Sequence, residues 1–320
     1  MATIVNPANM TTTPTLHTTI QNYADGKLLS NMKDKLVFHA NGVQRKLPKN
    51  HGQKIEFWKY IKLGAITDPL QEGTVPEAQT FSQSKIEATI DSFGGYLATT
   101  DKLSMTMIDY QTQQLVNLLS DQAALSIDTI VRDVMLKTTN VLYSNGKTAR
   151  NALGAADMLT VDDVRRAVRI LDKKGARKFT RGGKGYYKCI VGADAVYALQ
   201  SDPKWVDVAT YQQAEKIENG EIGKLYGVIF IDTSNNKIYE GAGASGADVD
   251  TAFVFGDESY AVVGLGETGD NAHVIMKGLG SSGVADPLDQ ISTVGWKVDG
   301  MTALVLNPDW LVRIESGVAA

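Results

Sequence analysis

Hydrophobic positions fall into two rhythms along the chain. Between residues 96 and 145 there is neither glycine nor proline, the two residues that most strongly interrupt a helix. Within that window Ile108, Leu115, Leu119, Ala123, Ile127, Ile130, Val134 and Val141 recur at steps of three, four or seven residues, which is the period of one helical face. The pattern predicts a helix over residues 109–145, with Asp101, Ser104 or Asp109 as its cap and Asn145-Gly146 as its stop. At ~1.5 Å per residue that helix would span roughly 50–55 Å. A rod of that length has more surface than one small core covers, so other elements or other subunits are expected along it. A second helix opens at Thr160. Thr160-Val161-Asp162-Asp163 has the form of a capping box, its acids suit the helix dipole, and Val161, Val164, Val168 and Leu171 form an apolar stripe that Gly175 ends.

Elsewhere the period is two. Residues 54–61 are rich in strand formers, and residues 84–90 alternate, with Ile86, Ala88 and Ile90 on one face, continuing to Leu97. Residues 64–81, with Asp68-Pro69, Gly73 and Pro76, form the long loop between these strands. The pair predicts an extended hairpin, marginal alone and best supported by another copy of the chain. Residues 1–50 are polar and loosely patterned, with a short helix expected within 20–38 around Leu28, Leu29, Met32 and Leu36, and a turn at Asn41-Gly42; a terminal segment of this kind needs something outside its own domain to hold it. Further strands are expected at 186–191, 225–231, 251–255, 260–263, 272–276, 295–297, 303–306 and 311–314, and helices at 193–199 and 205–218. Without a steady strand–helix–strand rhythm, the fold class is α+β.

The 320 residues are enough for one large domain or two, 43% of them are hydrophobic, and the formal net charge is −4. That near balance marks no nucleic-acid-coating or membrane-surface protein. The single cysteine, Cys189, lies in an apolar run; no disulfide can form within the chain, which fits a cytosolic folding environment. No secretory leader and no membrane span are read in the chain. The charge is uneven, however. Ten of the 32 Lys and Arg residues lie between Arg165 and Lys188, with one acid, Asp172. Arg165, Arg166, Arg169, Lys173, Lys174, Arg177, Lys178 and Arg181 are either a solvated face or a surface for phosphate or a neighbour's acids.

Candidate chemistry is sparse. Gly146-Lys147-Thr148 resembles the end of a phosphate-binding loop, but Val141 stands where that motif needs glycine. Gly241-Ala242-Gly243-Ala244-Ser245-Gly246 matches a dinucleotide fingerprint as a string, yet a strand-rich run follows where a helix must start. His17, His39, His51 and His273 have no metal-ligand spacing. Asp248 and Asp250 read as exposed acids of a glycine loop, with weak cation binding as the alternative. No catalytic, cofactor or metal residue is assigned, and the chain reads as a non-enzyme.

The order of elements carries a resemblance. A polar arm, a long hairpin, a very long helix, a basic helix, a mixed domain and returning C-terminal strands resemble the major capsid proteins of tailed phages, with the HK97-like fold. Locally, Gly220-Glu221-Ile222-Gly223-Lys224-Leu225-Tyr226-Gly227-Val228, Asp286-Pro287-Leu288-Asp289-Gln290, Thr293-Val294-Gly295-Trp296-Lys297, Leu306-Asn307-Pro308 and Val312-Arg313-Ile314-Glu315-Ser316 are similar to segments of a podophage-type branch. The resemblance implies an N-terminal arm at 1–50, an extended E-loop at 51–100, a P-domain with its spine helix at 101–185, an A-domain at 186–275 and C-terminal strands at 276–320 returning to the P-domain. It implies a virion protein that assembles with copies of itself, in the host cytoplasm, into pentamers and hexamers around double-stranded DNA. A portal, a separate scaffold protein and a decoration protein are the partners it suggests, with no membrane and no cofactor. An encapsulin-like compartment shell is the alternative within the same fold, and a soluble nucleotide-using enzyme the alternative outside it.

Overall fold

The computed structural model describes residues 35–61, 63–67, 78–106, 111–205, 221–266, 272–281 and 287–318, together with Leu28, Met32, Pro69, Gly73 and Val75. The first half contains α1 (Val37–Asn41), β1 (Val43–Leu47), β2 (Lys54–Tyr60), β3 (Gln83–Thr89), β4 (Asp91–Thr100), α2 (Asp101–Thr106), α3 (Gln111–Met135) and β5 (Val141–Tyr143). The second half contains α4 (Val161–Lys173), β6 (Phe179–Arg181), β7 (Lys184–Val191), α5 (Ala193–Ser201), β8 (Glu221–Leu225), β9 (Val228–Asp232), β10 (Val249–Phe255), β11 (Tyr260–Leu265), β12 (His273–Lys277), β13 (Ile291–Val305) and β14 (Leu311–Gly317). The predicted hairpin is the β2–β3 pair, with Lys54 opposite Thr89 and Tyr60 opposite Gln83.

A seven-stranded sheet runs in the order β5-β14-β10-β7-β9-β8, with β6 on β7. Its middle strand β10 is buried along its whole length, and strict alternation divides it between two cores. Ile190, Ile229, Phe253, Phe255 and Leu311 face one side, where α3 packs. Cys189, Phe230, Ala252, Val254, Val312 and Ile314 face the other, under α4 and α5. The capping box that starts α4 is present, with Asp163 N donating to Thr160 Oγ1 at 3.3 Å and Thr160 N to Asp163 Oδ2 at 3.3 Å.

The second sheet runs β1-β11-β13-β12, with β4 also on β13. The sequence suggested separate strands at 295–297 and 303–306; instead β13 is one strand of 15 residues. An irregularity between Val298 and Met301 keeps it continuous. Val294, Trp296 and Val298 before it, and Met301 and Ala303 after it, all face the same core. The extra residue restores the inward face after the break. Gly300 sits at this point because a Cβ there would stand 2.7 Å from Ile90 Cγ2 and 2.9 Å from Leu265 Cβ.

The long helix is real but shorter than its pattern. α3 has 25 residues and ends at Met135, which at ~1.5 Å per residue gives about 37 Å. Its expected start before Gln111, including Ile108, lies outside the described residues. Beyond Met135, Thr138-Thr139-Asn140-Val141-Leu142-Tyr143 is β-branched and aromatic, and Val141–Tyr143 joins β14 as a parallel edge strand. The Arg313 guanidinium on β14 donates back to the carbonyl of Leu136, and Arg313 N donates to Asn140 O at 3.0 Å. A tertiary partner thus ends the helix ten residues before the predicted stop.

Two other expectations change. The segment 225–231 is a hairpin, β8–β9, not one strand, because Tyr226 (φ 48°) and Gly227 (φ 76°) make a tight turn. Part of the N-terminal stretch is built into its own chain. Phe38 is fully buried and meets Phe253 edge-on with ring centroids 5.8 Å apart, and β1 pairs in parallel with β11. The expected helix 205–218 lies outside the described residues except for Trp205.

Ile127 is 1% exposed at the centre of the α3 core, while Leu125 on the opposite face is 56% exposed. Ile127→Ala is expected to cost about 2–5 kcal/mol in urea unfolding, and Leu125→Ala less than about 0.5 kcal/mol. Equal losses would mean that α3 does not present this face to the sheets.

Candidate assembly and contact surfaces

The motifs that suggested small-molecule chemistry are occupied by ordinary backbone roles. Asn145 (φ 53°) and Gly146 (φ 71°) form a short turn, and Lys147 Nζ lies 3.8 Å from Asp157. In the glycine loop, Gly241 N donates to Asp248 Oδ1 at 2.7 Å, Gly243 N to Ala247 O at 2.8 Å and Ala244 N to Leu153 O at 2.7 Å. Those amides are spent internally, and the strand β10 follows. Asp250 is not an exposed loop acid: it is 2% exposed, accepts from Thr251 N at 2.8 Å and is bonded by the Asn236 amide at 2.5 Å. Burial pushes its carboxyl up to about 7, and the nearby Asp194 carboxylate adds to the rise. Cys189 is buried in the sheet and burial pushes its thiol up, the reverse of what a nucleophile needs. Among the described residues no group of three or more His, Cys, Asp or Glu side chains is placed to hold a metal ion, and no helix is long and apolar enough to cross a membrane.

The hairpin has two unlike faces. Ile55, Phe57, Ile86 and Ala88 pack inward against Leu47, Ile90, Ala261, Val263 and Leu304. The base of the hairpin is therefore supported by its own chain, contrary to the expectation that a second copy must hold it. The outer face and the tip are different. Trp58, Tyr60 and Phe81 are 52%, 65% and 69% exposed, and Ile66 and Val75 are 72% and 95% exposed. Tyr96 on β4 and Met105 on α2 are also open to solvent. Single exposed apolar residues are ordinary, but so many on one extension mark an interaction surface.

The eight basic candidates are dispersed by the fold. Arg165 pairs with Asp162 at 3.0 Å, Arg166 with Asp163 at 3.1 Å, Lys174 with Asp309 at 3.2 Å and Lys178 with Asp172 at 3.0 Å. Arg177 lies 3.7 Å from Asp257 and 3.2 Å from Glu258. Arg181 sits apart on β6, in the turn to β7. Arg169 and Lys173 form no ion pair among the described residues. Together with Arg165, Val168, Asp172 and Tyr226 they line a shallow surface depression.

Two buried polar networks were missed in the sequence. Glu315 is fully buried on β14 and held by a fork from Arg150, with Nε to Oε2 at 2.8 Å and a terminal nitrogen to Oε1 at 2.7 Å; Arg313 Nε adds a contact at 3.0 Å. The Arg150 guanidinium also lies 3.7 Å from the Tyr239 ring centroid. Asp128 on α3 accepts from Phe38 N at 2.7 Å, His39 N at 3.1 Å and Asn235 Nδ2 at 3.3 Å. It thereby caps α1 from a distant element. Burial pushes Asp128 up to about 6 against these hydrogen bonds and the Arg132 charge.

No family model matches the chain, and no curated protein matches it. Solved structures do. The capsid of Ralstonia phage GP4 is 13% identical with a TM-score of 0.69, covering 89% of this chain and 92% of that one. The capsid of cyanophage Pam1 is 16% identical with a TM-score of 0.62, covering 85% and 87%. The holo-SrpI encapsulin of Synechococcus elongatus is 10% identical with a TM-score of 0.53, covering 86% of each. The fold is thus the HK97-like one that the order of elements suggested.

Arg150→Ala leaves a fully buried carboxylate with only Arg313 opposite it, and is expected to lower unfolding free energy by about 3 kcal/mol; a loss within error would mean that Glu315 does not need the fork. For Asp128, the folded-state value lies above the ordinary 3.8. Its contribution is therefore complete below the unfolded value and is lost as pH rises through about 6. The stability difference between wild type and Asp128→Asn should shift against wild type by up to about 3 kcal/mol from pH 4 to pH 7. A difference independent of pH in denaturant titrations contradicts this.

Proposed function

We propose that the chain is the major capsid protein of a tailed phage, a structural subunit that assembles with copies of itself into an icosahedral shell around double-stranded DNA. The observation that carries this reading is the match of nearly the whole chain to phage capsid structures, joined to an extension whose described apolar residues, Ile66 and Val75 among them, are exposed. The earlier division of labour is proposed with it. Residues 51–100 act as the E-loop, 101–185 with 276–320 as the P-domain around α3, and 186–275 as the A-domain. Residues 1–50 act as an arm whose end, from α1 onward, is tied to the P-domain through Asp128. On this reading the working place is the virion, assembly takes place in the host cytoplasm, and the partners beyond further copies are a portal, a separate scaffold protein and a decoration protein.

Physical chemistry supports the reading. A shell subunit meets its copies at more than one angle, which calls for a stiff centre with extensions that settle by burial. Here the two sheets and α3 form the stiff centre, and the hairpin tip carries the uncovered apolar area. The near-neutral net charge of −4 limits repulsion between close-packed copies.

The encapsulin likeness supports a second reading, a compartment shell for protein cargo. Nuclease-resistant DNA inside purified particles favours the phage shell; cargo protein without DNA favours the compartment. Deleting residues 66–80, between β2 and β3, is expected to leave a folded, soluble protein that forms no shells under negative-stain electron microscopy. Intact shells from that deletion would sink the role given to the hairpin.

A further inference from the structure

Along α4, Arg165, Arg169 and Lys173 stand at i, i+4 and i+8 on one exposed face. Each step advances about 6 Å along the axis, so the three charges form a row. Lys204 shares Asp162 with Arg165, and Lys178 takes Asp172. Around the depression there are then five cations, Arg165, Arg169, Lys173, Lys178 and Lys204, against two carboxylates, Asp162 and Asp172. A local excess of three positive charges lies on a chain whose net charge is −4.

The opposite wall is Tyr226, at the first position of the β8–β9 turn. Its φ of 48° is left-handed, a conformation that strains a non-glycine residue and that hairpin turns usually give to Asn, Asp or Gly. Burial does not offset that strain, because the side chain is 51% exposed. Instead the ring stands beside the row, with the Arg165 guanidinium carbon 5.0 Å from its centroid. A strained, exposed aromatic beside this row of cations is an outlier that points to a contact.

We infer that this depression binds the phosphate backbone of nucleic acid, with Arg165, Arg169 and Lys173 neutralising successive phosphates and the Tyr226 hydroxyl or ring closing the other side. Arg, Lys and Tyr are among the side chains that reach phosphate oxygens without reading bases. The depression lies along the flank and last turns of α4, away from its N-terminal amides, so a small free anion finds charges there but no backbone cradle. A row of point charges suits a linear polyanion. Choosing nucleic acid over an acidic protein segment rests on the shell reading above, in which one surface of each subunit lies against DNA.

The test uses the purified full-length chain and a labelled random duplex of about 20 base pairs, followed by fluorescence anisotropy between about 50 and 200 mM NaCl. Arg165→Ala with Arg169→Ala and Lys173→Ala should reduce the slope of log K against log salt by about 2.7, from roughly 0.9 per phosphate contact. Lys174→Ala with Arg177→Ala removes two cations held by Asp309, Asp257 and Glu258, and should change affinity less than about twofold. Tyr226→Asn suits the turn and so keeps the fold, yet should bind at least about twofold more weakly. The charge-preserving Arg165→Lys with Arg169→Lys should keep the slope, separating charge from misfolding. An unchanged slope in the triple variant overturns the site. So does displacement of the duplex by polyglutamate as effective as by unlabelled duplex, which would assign the depression to acidic protein, or displacement by a few millimolar inorganic phosphate at constant ionic strength, which would assign it to a free anion. Negative-stain microscopy of the same proteins keeps the two readings apart: shells with an unchanged slope sink only the phosphate site, while a wild-type chain that forms no shells sinks the shell.

Discussion

The contact between α3 and β13 is what the other elements depend on. Val116, Leu119, Ala123, Ile127 and Val131 on the helix meet Val294, Trp296, Val298, Met301 and Ala303 on the strand within one apolar cluster. That cluster also takes Phe253, Phe255 and Leu311 from the seven-stranded sheet, so the helix joins two sheets that share no strand pair among the described residues. Without the irregularity at Asp299-Gly300, the strand's second half would turn its apolar residues outward, and β11, which pairs with that half, would lose its place. The hairpin depends on this in turn, since its inner face rests on Ala261 and Val263 of β11.

Polar groups at the same seam explain why it is specific and not merely sticky. Asp128 points from α3 into the joint and holds the amides of Phe38 and His39, while the adjacent Asn235 and Asn236 each bond a buried acid, Asp128 and Asp250. Burying such groups unpaired would cost several kcal/mol, so a register that leaves them without these bonds is disfavoured. Arg313 does two tasks of this kind at once, stopping α3 at Leu136 and facing Glu315.

Much of this was legible in the sequence where a local signal and the tertiary structure agree. The capping box at Thr160, the stripe through Val161, Val164 and Leu171, the strand formers of β2 and the alternation in β3 each state a local preference that nothing overrides. The failures are places where a distant partner decides. The apolar period of α3 continues to Val141, and nothing in residues 136–145 alone says that β14 will claim Val141–Tyr143. Tyr226-Gly227 hid a turn because tyrosine rarely takes the left-handed position. The break in β13 looked like two strands because apolar parity changes there, and parity is a main strand signal in a single sequence. A clue to the ionic network was present: Arg313 and Glu315 alternate with Val312 and Ile314 in an otherwise apolar strand, which puts both charges on one face and asks for a third partner. That the partner is Arg150 is a tertiary fact.

The basic stretch shows why a count of charges along the chain differs from a field in space. Read linearly, ten cations against one acid form a strong positive segment. Folded, α4 and its exit bring Asp162, Asp163, Asp257, Glu258 and Asp309 against it, and most of the excess is neutralised within the subunit. Exposed ion pairs of this kind add little stability; their larger effect is to lower the net charge of the surface. What remains positive includes one helical row beside one strained tyrosine. On the proposed shell reading, a subunit with many identical neighbours that also holds a polyanion would need that separation, because the same charge spread evenly would repel every copy it touches.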